Sequence, residues 1–515
     1  MNLLGPLFER YIQRYVRWLE RGSADPAGVQ QRILERIVRR AEATWFGRTH
    51  GFASIKSHAD FAKAVPIADF AARADVYERI FQGEPDVCWP GRTRMFALTS
   101  GTTAGEKHIP VSPEMKRSQI NAGMAIMAQI SRAEPGLLRF IFGGKLYFLG
   151  GGPIQPAPGG ARLGAISNLA TDWVPWLVMR HYEPGRRIQA IDDFEVKCRE
   201  AARRFIHQDI RLCGHLPSWS KAVFDSVCAA AGVPAEGGLS RVWPNFAVQV
   251  HGGMNFEPFR PVLRRYFRPD HRIRYLEVYM ASEGFIAAQP GFDGGGMEML
   301  VDNGIFFEFV PLDAWGKADA PRLRVHEVEV GTPYCVVLST SAGLWAYDLG
   351  DIVRFTSLRP PRVLFAGRHQ LFMNAFGEHV IGEEIAQAVA AACQATGARI
   401  EAFTTAPVYP TAERPAAAHQ YVIEFIAEPA GGLDPFVAEI ERTLSALNLN
   451  YEMKRKQDKL MTRAEVTPVP RGTFYAWMKQ RGKLGDQNKV PLCANDRRFA
   501  DSVLALAAAP SAARG

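Results

Sequence analysis

Paired cysteines are missing from this 515-residue chain. Its seven cysteines (Cys88, Cys198, Cys213, Cys228, Cys335, Cys393 and Cys493) form no CxxC and no matched spacing. An odd, scattered set predicts free thiols in a reducing, cytoplasmic compartment rather than a disulfide framework. None stands in a recognisable nucleophile setting, so cysteine catalysis is not expected. Long apolar runs are missing too, and no segment is predicted to span a bilayer. Residues 1–20 carry Glu9, Arg10, Arg14, Arg17 and Glu20, which is not a signal-peptide pattern. An excess of one charge is also lacking. The net +8 comes from 61 basic and 53 acidic residues mixed along the chain. Short clusters at 36–40 and 454–456 read as solvated faces, and no nucleic-acid partner is expected.

What is present is a large apolar inventory, 47% of residues, enough for two or three domains. Two helices open the chain. The second has Asp25 as N-cap, Pro26 at its first position, and Ile33, Leu34, Ile37, Val38 and Ala41 on one face. A further helix is expected over 112–131, and two strands around a glycine turn over 139–152. Beyond these lie a helix at 194–206 and a buried strand ending near Cys213, where His215 reads as structural. Strand-like runs at 246–250, 275–280, 301–309, 324–330 and 334–340 end in glycines and polar residues. That is the pattern of an α/β sheet with its site at the strand ends. After Leu358-Arg359-Pro360-Pro361 the composition changes. Helix and strand then alternate over 383–395, 399–405, 420–427, 435–447 and 464–469, a small α+β domain. Residues 509–515 read as a disordered tail.

The run Phe96 to Pro113 (FALTSGTTAGEKHIPVSP) is a strand, a hydroxyl-and-glycine turn, and a second strand. Such a turn presents backbone N–H groups and hydroxyls to a polyphosphate, and it is also ordinary turn chemistry. It is not the P-loop of NTPases. Three residues, not four, separate Gly101 from Gly105, Glu106 precedes Lys107, and His108 follows it.

Several blocks in order resemble the adenylate-forming superfamily of acyl-CoA synthetases, peptide-synthetase adenylation domains and luciferases. Thr99 to Lys107 is similar to its phosphate loop. Gly252-Gly253-Met254 stands where backbone lines adenine. Tyr279-Met280-Ala281-Ser282-Glu283 resembles the adenine-packing and metal-binding motif. Tyr347 to Val353 contains the ribose-binding acid, Asp351. Gly367-Arg368 through Glu384-Ile385 is similar to the hinge and the start of the small domain. Arg481-Gly482 through Gln487-Asn488-Lys489-Val490-Pro491 is similar to the closing motif of one branch, the auxin-responsive acyl acid–amido synthetases, a plant family with bacterial relatives.

That resemblance implies a large N-terminal α/β domain, residues 1–368, with β-sheets sandwiched by helices plus a small β-barrel. A small mobile α+β lid would span 369–508. It implies activation of a carboxylic acid by ATP and Mg²⁺ as an acyl-adenylate, then transfer to an amine, an amino acid in this branch, with release of AMP. Transfer to a thiol (coenzyme A or a carrier protein), or a nucleotide-binding member without catalysis, are the alternatives. Thr99, Ser100, Gly101, Thr102, Thr103 and Lys107 would hold phosphates. Gly252, Gly253, Met254, Tyr279, Ser282, Asp351 and Arg368 would also bind the nucleotide, and Glu283 the metal. His379 and Lys489 would act from the lid. Four positions depart from the family pattern. Gln370 replaces the hinge acid, His379 a lysine, Leu492 an arginine, and Asn488 a tyrosine.

Overall fold

The computed structural model describes residues 4–101, 105–150, 153–174, 179–191, 193–253, 256, 259–369, 373, 378, 380–409, 417–457, 461–481, 490–494 and 496–508. The chain divides into two compact units. One comprises residues 1–253 and 265–364, the other 254–264 and 365–515.

The second N-terminal helix forms where its capping residue dictates. Leu4–Ala24 is helical, and Pro26–Ala41 follows with the Gly28 N–H donating to Asp25 Oδ1 at 2.9 Å. This cap satisfies one of the donors that a helix start leaves open. The strands of the first unit begin with β1 (Met95–Gly101) and β2 (Gly105–Pro110), an antiparallel hairpin. Then come β3 (Lys145–Phe148), β4 (Gln155–Ala157), β5 (Ala161–Gly164), β6 (Tyr182–Glu183), β7 (Ile210–Gly214), β8 (Val248–Gly252) and β9 (Arg274–Ala281). Next are β10 (Gly284–Ala288), β11 (Met297–Met299), β12 (Ile305–Pro311), β13 (Pro333–Thr340), β14 (Tyr347–Leu358) and β15 (Pro361–Arg368), whose residues from Phe365 on belong to the second unit. One sheet of four strands has the order β2-β1-β5-β4. A sheet of eleven has the order β12-β13-β14-β15-β11-β10-β9-β8-β7-β3-β6.

Two parts of the eleven-stranded sheet differ in kind. β6, β3, β7, β8 and β9 are parallel. Helices Phe194–Phe205 and Pro217–Ala231 lie on the crossovers between them, as parallel neighbours require. From β9 to β11, and through β12, β13 and β14, neighbours run antiparallel. The core between sheet and helices is apolar. Ile12, Val16 and Leu19 of the first helix and Ile126 and Ile130 of helix Pro113–Ala133 pack with Leu212, Val248, Val250, Leu276 and Val278. Roughly 25 cal/mol per Å² of apolar surface removed from water is what drives this assembly.

Two local expectations fail. Residues 137–141 form a helix, so only β3 remains of the two strands expected over 139–152. The glycines stop that helix rather than turning a hairpin. Residues 324–330 turn instead of extending. Arg324 pairs with Glu327 three residues on, its backbone N–H also donating to that carboxylate at 2.8 Å. This local closure competes with a ladder.

The second unit is α+β. β16 (Arg399–Val408) pairs antiparallel with β17 (Ala418–Ala427), and β18 (Glu465–Val469) runs parallel to β17. Helices Gly382–Thr396 and Leu433–Leu447 pack with Ile400, Phe403, Tyr421 and Ile423 of this sheet. Helices Thr473–Gln480 and Arg498–Ala508 share a separate cluster with Val422 and Val469. Buried polar ties hold the first helix in place. Asn448 Nδ2 donates to Glu384 Oε2 at 2.8 Å, and the same oxygen accepts from the Ile381 N–H.

Candidate active site

Parallel strands leave their C-terminal ends on one edge of the sheet, where ligands bind in open α/β folds. Here those ends are Glu183, Phe148, Gly214, Gly252 and Ala281. Gly252 is required by packing: a Cβ there would drive into the Val278 carbonyl of the neighbouring strand. Gly253, at φ +80°, then turns the chain out of β8.

Ser282 and Glu283 occupy the two-residue turn between β9 and β10, with Ala281 and Gly284 paired across it. Both side chains are buried, Glu283 at 9% exposure. The Tyr347 hydroxyl donates to Glu283 Oε1 at 3.1 Å. Burial, then the adjacent carboxylate, raise the Tyr347 hydroxyl well above its ordinary pKa, which keeps it a donor at neutral pH. The Ser282 hydroxyl is buried without a hydrogen-bond partner, and so is that of Tyr77, from helix Ala74–Phe81. Burial raises the Tyr77 hydroxyl too, and the Glu283 carboxylate acts in the same direction.

Asp351 owes its placement to a bulge. β13 and β14 pair Val337 with Asp348 and Cys335 with Ile352, so Leu349, Gly350 and Asp351 stand opposite Val336 alone. Gly350 adopts φ +81°, and its N–H donates to Asp348 Oδ1 at 2.8 Å. The Asp-Leu-Gly-Asp run is therefore the chemistry of the bulge, which re-aims a side chain beside a site. Tyr279 Oη donates to Asp351 Oδ2 at 2.7 Å, both groups buried. Tyr279 reaches this position across a register shift between β9 and β10. Two tyrosines thus hold two carboxylates, Tyr347 with Glu283 and Tyr279 with Asp351.

The segment before β1 anchors the start of β14. The Ala68 N–H donates to the Ala346 carbonyl at 3.1 Å and the Asp348 N–H to the Ala68 carbonyl at 3.0 Å. Arg73 donates to the carbonyls of Trp345 and Pro66. Ala346 itself sits at φ +41°, a strained value for a residue with a Cβ, held by its N–H bond to Ser339 Oγ at 2.8 Å.

Lys107 is paired with Thr99 across the β1–β2 hairpin, as Ser100 is with Glu106 and Gly101 with Gly105. Its Nζ lies 5.9 Å from the centroid of the Phe70 ring, which stacks on Tyr77 at 4.9 Å. The hairpin tip, with Thr102 and Thr103, lies outside the described residues, as do Met254, His379, Gln370, Asn488 and Lys489. Arg368 ends β15 within the second unit and is exposed. In that unit, beside position 379, Glu378 and His419 form a buried pair at 3.1 Å.

The arrangement fits a magnesium-bound nucleotide on chemical grounds. Among the described residues no group of three His, Cys, Asp or Glu could hold a metal ion alone. Glu283 is a single buried carboxylate, which suits a hard cation that takes most of its oxygens from phosphates and water. Asp351 is the acceptor set suited to paired hydroxyls. The cysteines take no part. Burial pushes Cys88, Cys198, Cys393 and Cys493 up to about 12 and Cys228 up to about 11, so none is a thiolate at neutral pH. His215 follows β7. Its Nδ1 lies 2.8 Å from Ser220 Oγ, and burial lowers its pKa to about 4.

Sequence reasoning singled out Glu283, Asp351 and Tyr279 as candidates but did not show the two tyrosine contacts to the carboxylates, and it assigned Tyr347 and Tyr77 no role. Tyrosines at the start of a strand and inside an amphipathic helix look like core. A hydroxyl's partner 64 or 72 residues away leaves no local trace.

Among the described residues no helix is long and apolar enough to cross a membrane. Two curated relatives are indole-3-acetic acid-amido synthetases. GH3.4 of Arabidopsis thaliana is 25% identical, with 93% of this chain and 91% of the relative aligned. GH3.8 of Oryza sativa subsp. indica is 26% identical, with 93% and 90% aligned. Among solved structures, GH3.15 acyl acid amido synthetase superposes with a TM-score of 0.77 at 17% identity, covering 95% of each chain. A 2-hydroxyisobutyryl-CoA ligase with bound 2-HIB-AMP superposes at 0.56 and 14% identity, covering 93% and 91%. These likenesses establish the adenylate-forming fold. The GH3 family N-terminal domain matches residues 15–194, its central domain 298–368 and its C-terminal domain 383–498. Together they account for well over half of the sequence, and the chain belongs to the GH3 family.

Proposed function

We propose that this protein is an ATP-dependent acyl acid–amido synthetase. A carboxylate attacks the α-phosphorus of ATP, pyrophosphate leaves, and the acyl-adenylate passes its acyl group to an amine, an amino acid in this reading, releasing AMP. The observation that carries this reading is the pair of tyrosine-held carboxylates, Glu283 and Asp351, at the sheet edge expected for a ligand.

The electrostatic problem is the meeting of two anions and the charge that develops on the leaving group. A magnesium ion supplies charge neutralisation there, with Glu283 as its protein ligand. Asp351, kept in place by Tyr279, accepts hydrogen bonds from the ribose hydroxyls. Tyr279 offers its ring face to adenine alongside the backbone of Gly252, Gly253 and Met254. Thr99, Ser100, Gly101, Thr102 and Thr103, with Lys107 and the buried Ser282 hydroxyl, surround the phosphates. Residues 1–368 bind both substrates, with Arg368 contacting the nucleotide, and 369–508 form a lid that brings His379 and Lys489 to the reacting groups. A histidine at 379 is a conditional cation where a lysine is a permanent one, so phosphates must raise its pKa for it to serve.

A matrix of acids and amines incubated with ATP and Mg²⁺, followed by mass spectrometry and pyrophosphate assay, tests the reading. An amide product and a hydroxylamine-trapped acyl group are expected. Thioester with coenzyme A and no amide would move the acceptor to a thiol. ATP binding without turnover across the panel would make the protein a binding member of the family.

A further inference from the structure

The Tyr347 hydroxyl, from outside the β9–β10 hairpin, donates to Glu283 Oε1 at 3.1 Å. Both residues are buried, Tyr347 to 1% exposure. The hydroxyl is aimed by its own strand. Tyr347 pairs with Leu338 of β13 on one side and bridges Ala68 on the other. The preceding Ala346 is locked at a positive φ by the Ser339 bond. A strained residue kept in place from both sides points to an imposed orientation rather than to filler packing.

We propose that Tyr347 is the positioning residue for Glu283, orienting its carboxylate for a divalent cation through the hydroxyl-to-Oε1 hydrogen bond. This rests on the reading of Glu283 as the metal's protein ligand. The physical logic is that a turn carboxylate has several rotamers, and only some present it to a metal. A fixed outer donor removes the others before the ion arrives, and loss of such donors lowers metal affinity by roughly tenfold or more. Tyr347 touches no reacting atom in this scheme, so its effect falls on metal and nucleotide binding more than on the chemical step.

Tyr347→Phe removes one oxygen and keeps the ring in its packing. Mn²⁺ affinity of the ATP-bound protein, read by electron paramagnetic resonance, is measured for the wild type, Tyr347→Phe, Glu283→Gln and the double variant, with thermal midpoints alongside. The expected result is a roughly tenfold loss in Tyr347→Phe, no further loss when it is added to Glu283→Gln, and a raised KM for Mg·ATP with kcat changed less. The same loss in the presence and absence of Glu283 would overturn the proposal, because Tyr347 would then act on the fold. Unchanged affinity in Tyr347→Phe, with a loss in Glu283→Gln, would overturn it while leaving the metal role of Glu283 standing. Unchanged affinity in both would remove that role and this inference with it. A Tyr347→Phe protein that binds ATP without metal as the wild type does shows that the fold is retained. If it does not, the cycle is repeated with Glu283→Asp. That variant keeps the charge but withdraws it from the hydroxyl, and wild-type Mn²⁺ affinity there would equally overturn the proposal.

Discussion

At the scale of single residues the site depends on hydroxyl-to-carboxylate bonds in a low-dielectric setting. A hydrogen bond to a charged group contributes about 1.5–3 kcal/mol, and its loss leaves the partner to find another orientation. Tyr279→Phe is therefore expected to raise the KM for ATP by about tenfold, which is about 1.4 kcal/mol. Asp351→Ala should remove pyrophosphate release altogether. Both are measured by a coupled pyrophosphate assay, and an unaffected KM in Tyr279→Phe would separate that hydroxyl from nucleotide binding. His215 gives a pH prediction. Burial lowers its folded pKa to about 4, against about 6.5 in an unfolded chain. The unfolded state takes up a proton first as the pH drops, so stability is lost between about pH 6.5 and 4 and is level above that window. Part of the residue still reaches solvent, so the loss should be of order 2 kcal/mol at most. A ring titration by NMR should place His215 near 4, and His215→Gln should flatten the acid limb of a urea-midpoint profile.

At the scale of elements, two joints position the site. One is the close approach of β8 and β9 at Gly252, where a Cβ would collide with the Val278 carbonyl. Backbone cannot yield there as a flexible side chain can. Gly252→Ala should cost about 3 kcal/mol or more, in the range of backbone-strain and overpacking effects, seen as a lowered thermal midpoint together with weaker ATP binding. The other joint ties the segment before β1 to β12. Glu308, fully buried, lies 2.7 Å from His58 Nε2 and 2.6 Å from Arg322, which also donates to the carbonyls of Ala62 and Val65. Burial opposes ionisation of Glu308, but the His58 and Arg322 bonds outweigh it, so its carboxyl lies below its usual range. A depressed carboxylate stabilises the fold above its unfolded pKa and loses that contribution as pH falls through the folded value. Glu308→Ala should cost about 3–5 kcal/mol at neutral pH, because it strands a buried cation. The difference from wild type should shrink below about pH 4, read by chemical denaturation across pH.

At the scale of the whole molecule, each unit carries its own apolar core. Binding only to the folded state adds about 2.7 kcal/mol at a ligand concentration one hundred times Kd. Mg·ATP should therefore raise the thermal midpoint by a few degrees in a concentration-dependent way, and the matching acid should add to it. ATP without effect at millimolar concentration would contradict a nucleotide site. The calorimetric trace should be read for more than one transition, since two cores need not melt together.

The sequence by itself determined the elements and their order. Asp25, Pro26 and Ser112 sit at helix starts because caps and the fixed φ of proline are local. β1 and β2 pair as far as Gly101 and Gly105, and glycines mark the ends of β7 and β8, because strand exits need small residues. It also named Glu283 and Asp351 through runs of five and seven residues. It misjudged 137–141 and 324–330, where a short helix and an Arg–Glu closure beat strand propensity by contacts within a few residues. Only the tertiary structure decided why Asp-Leu-Gly-Asp bulges opposite Val336, and why Gly252 tolerates no side chain. It alone assigned Tyr347 to Glu283 and Tyr279 to Asp351. Capping and turn chemistry act over three or four residues and can be read along the chain. The orientation of a buried carboxylate is set by a hydroxyl that reaches it across strands, and that distance exists only once the sheet has formed.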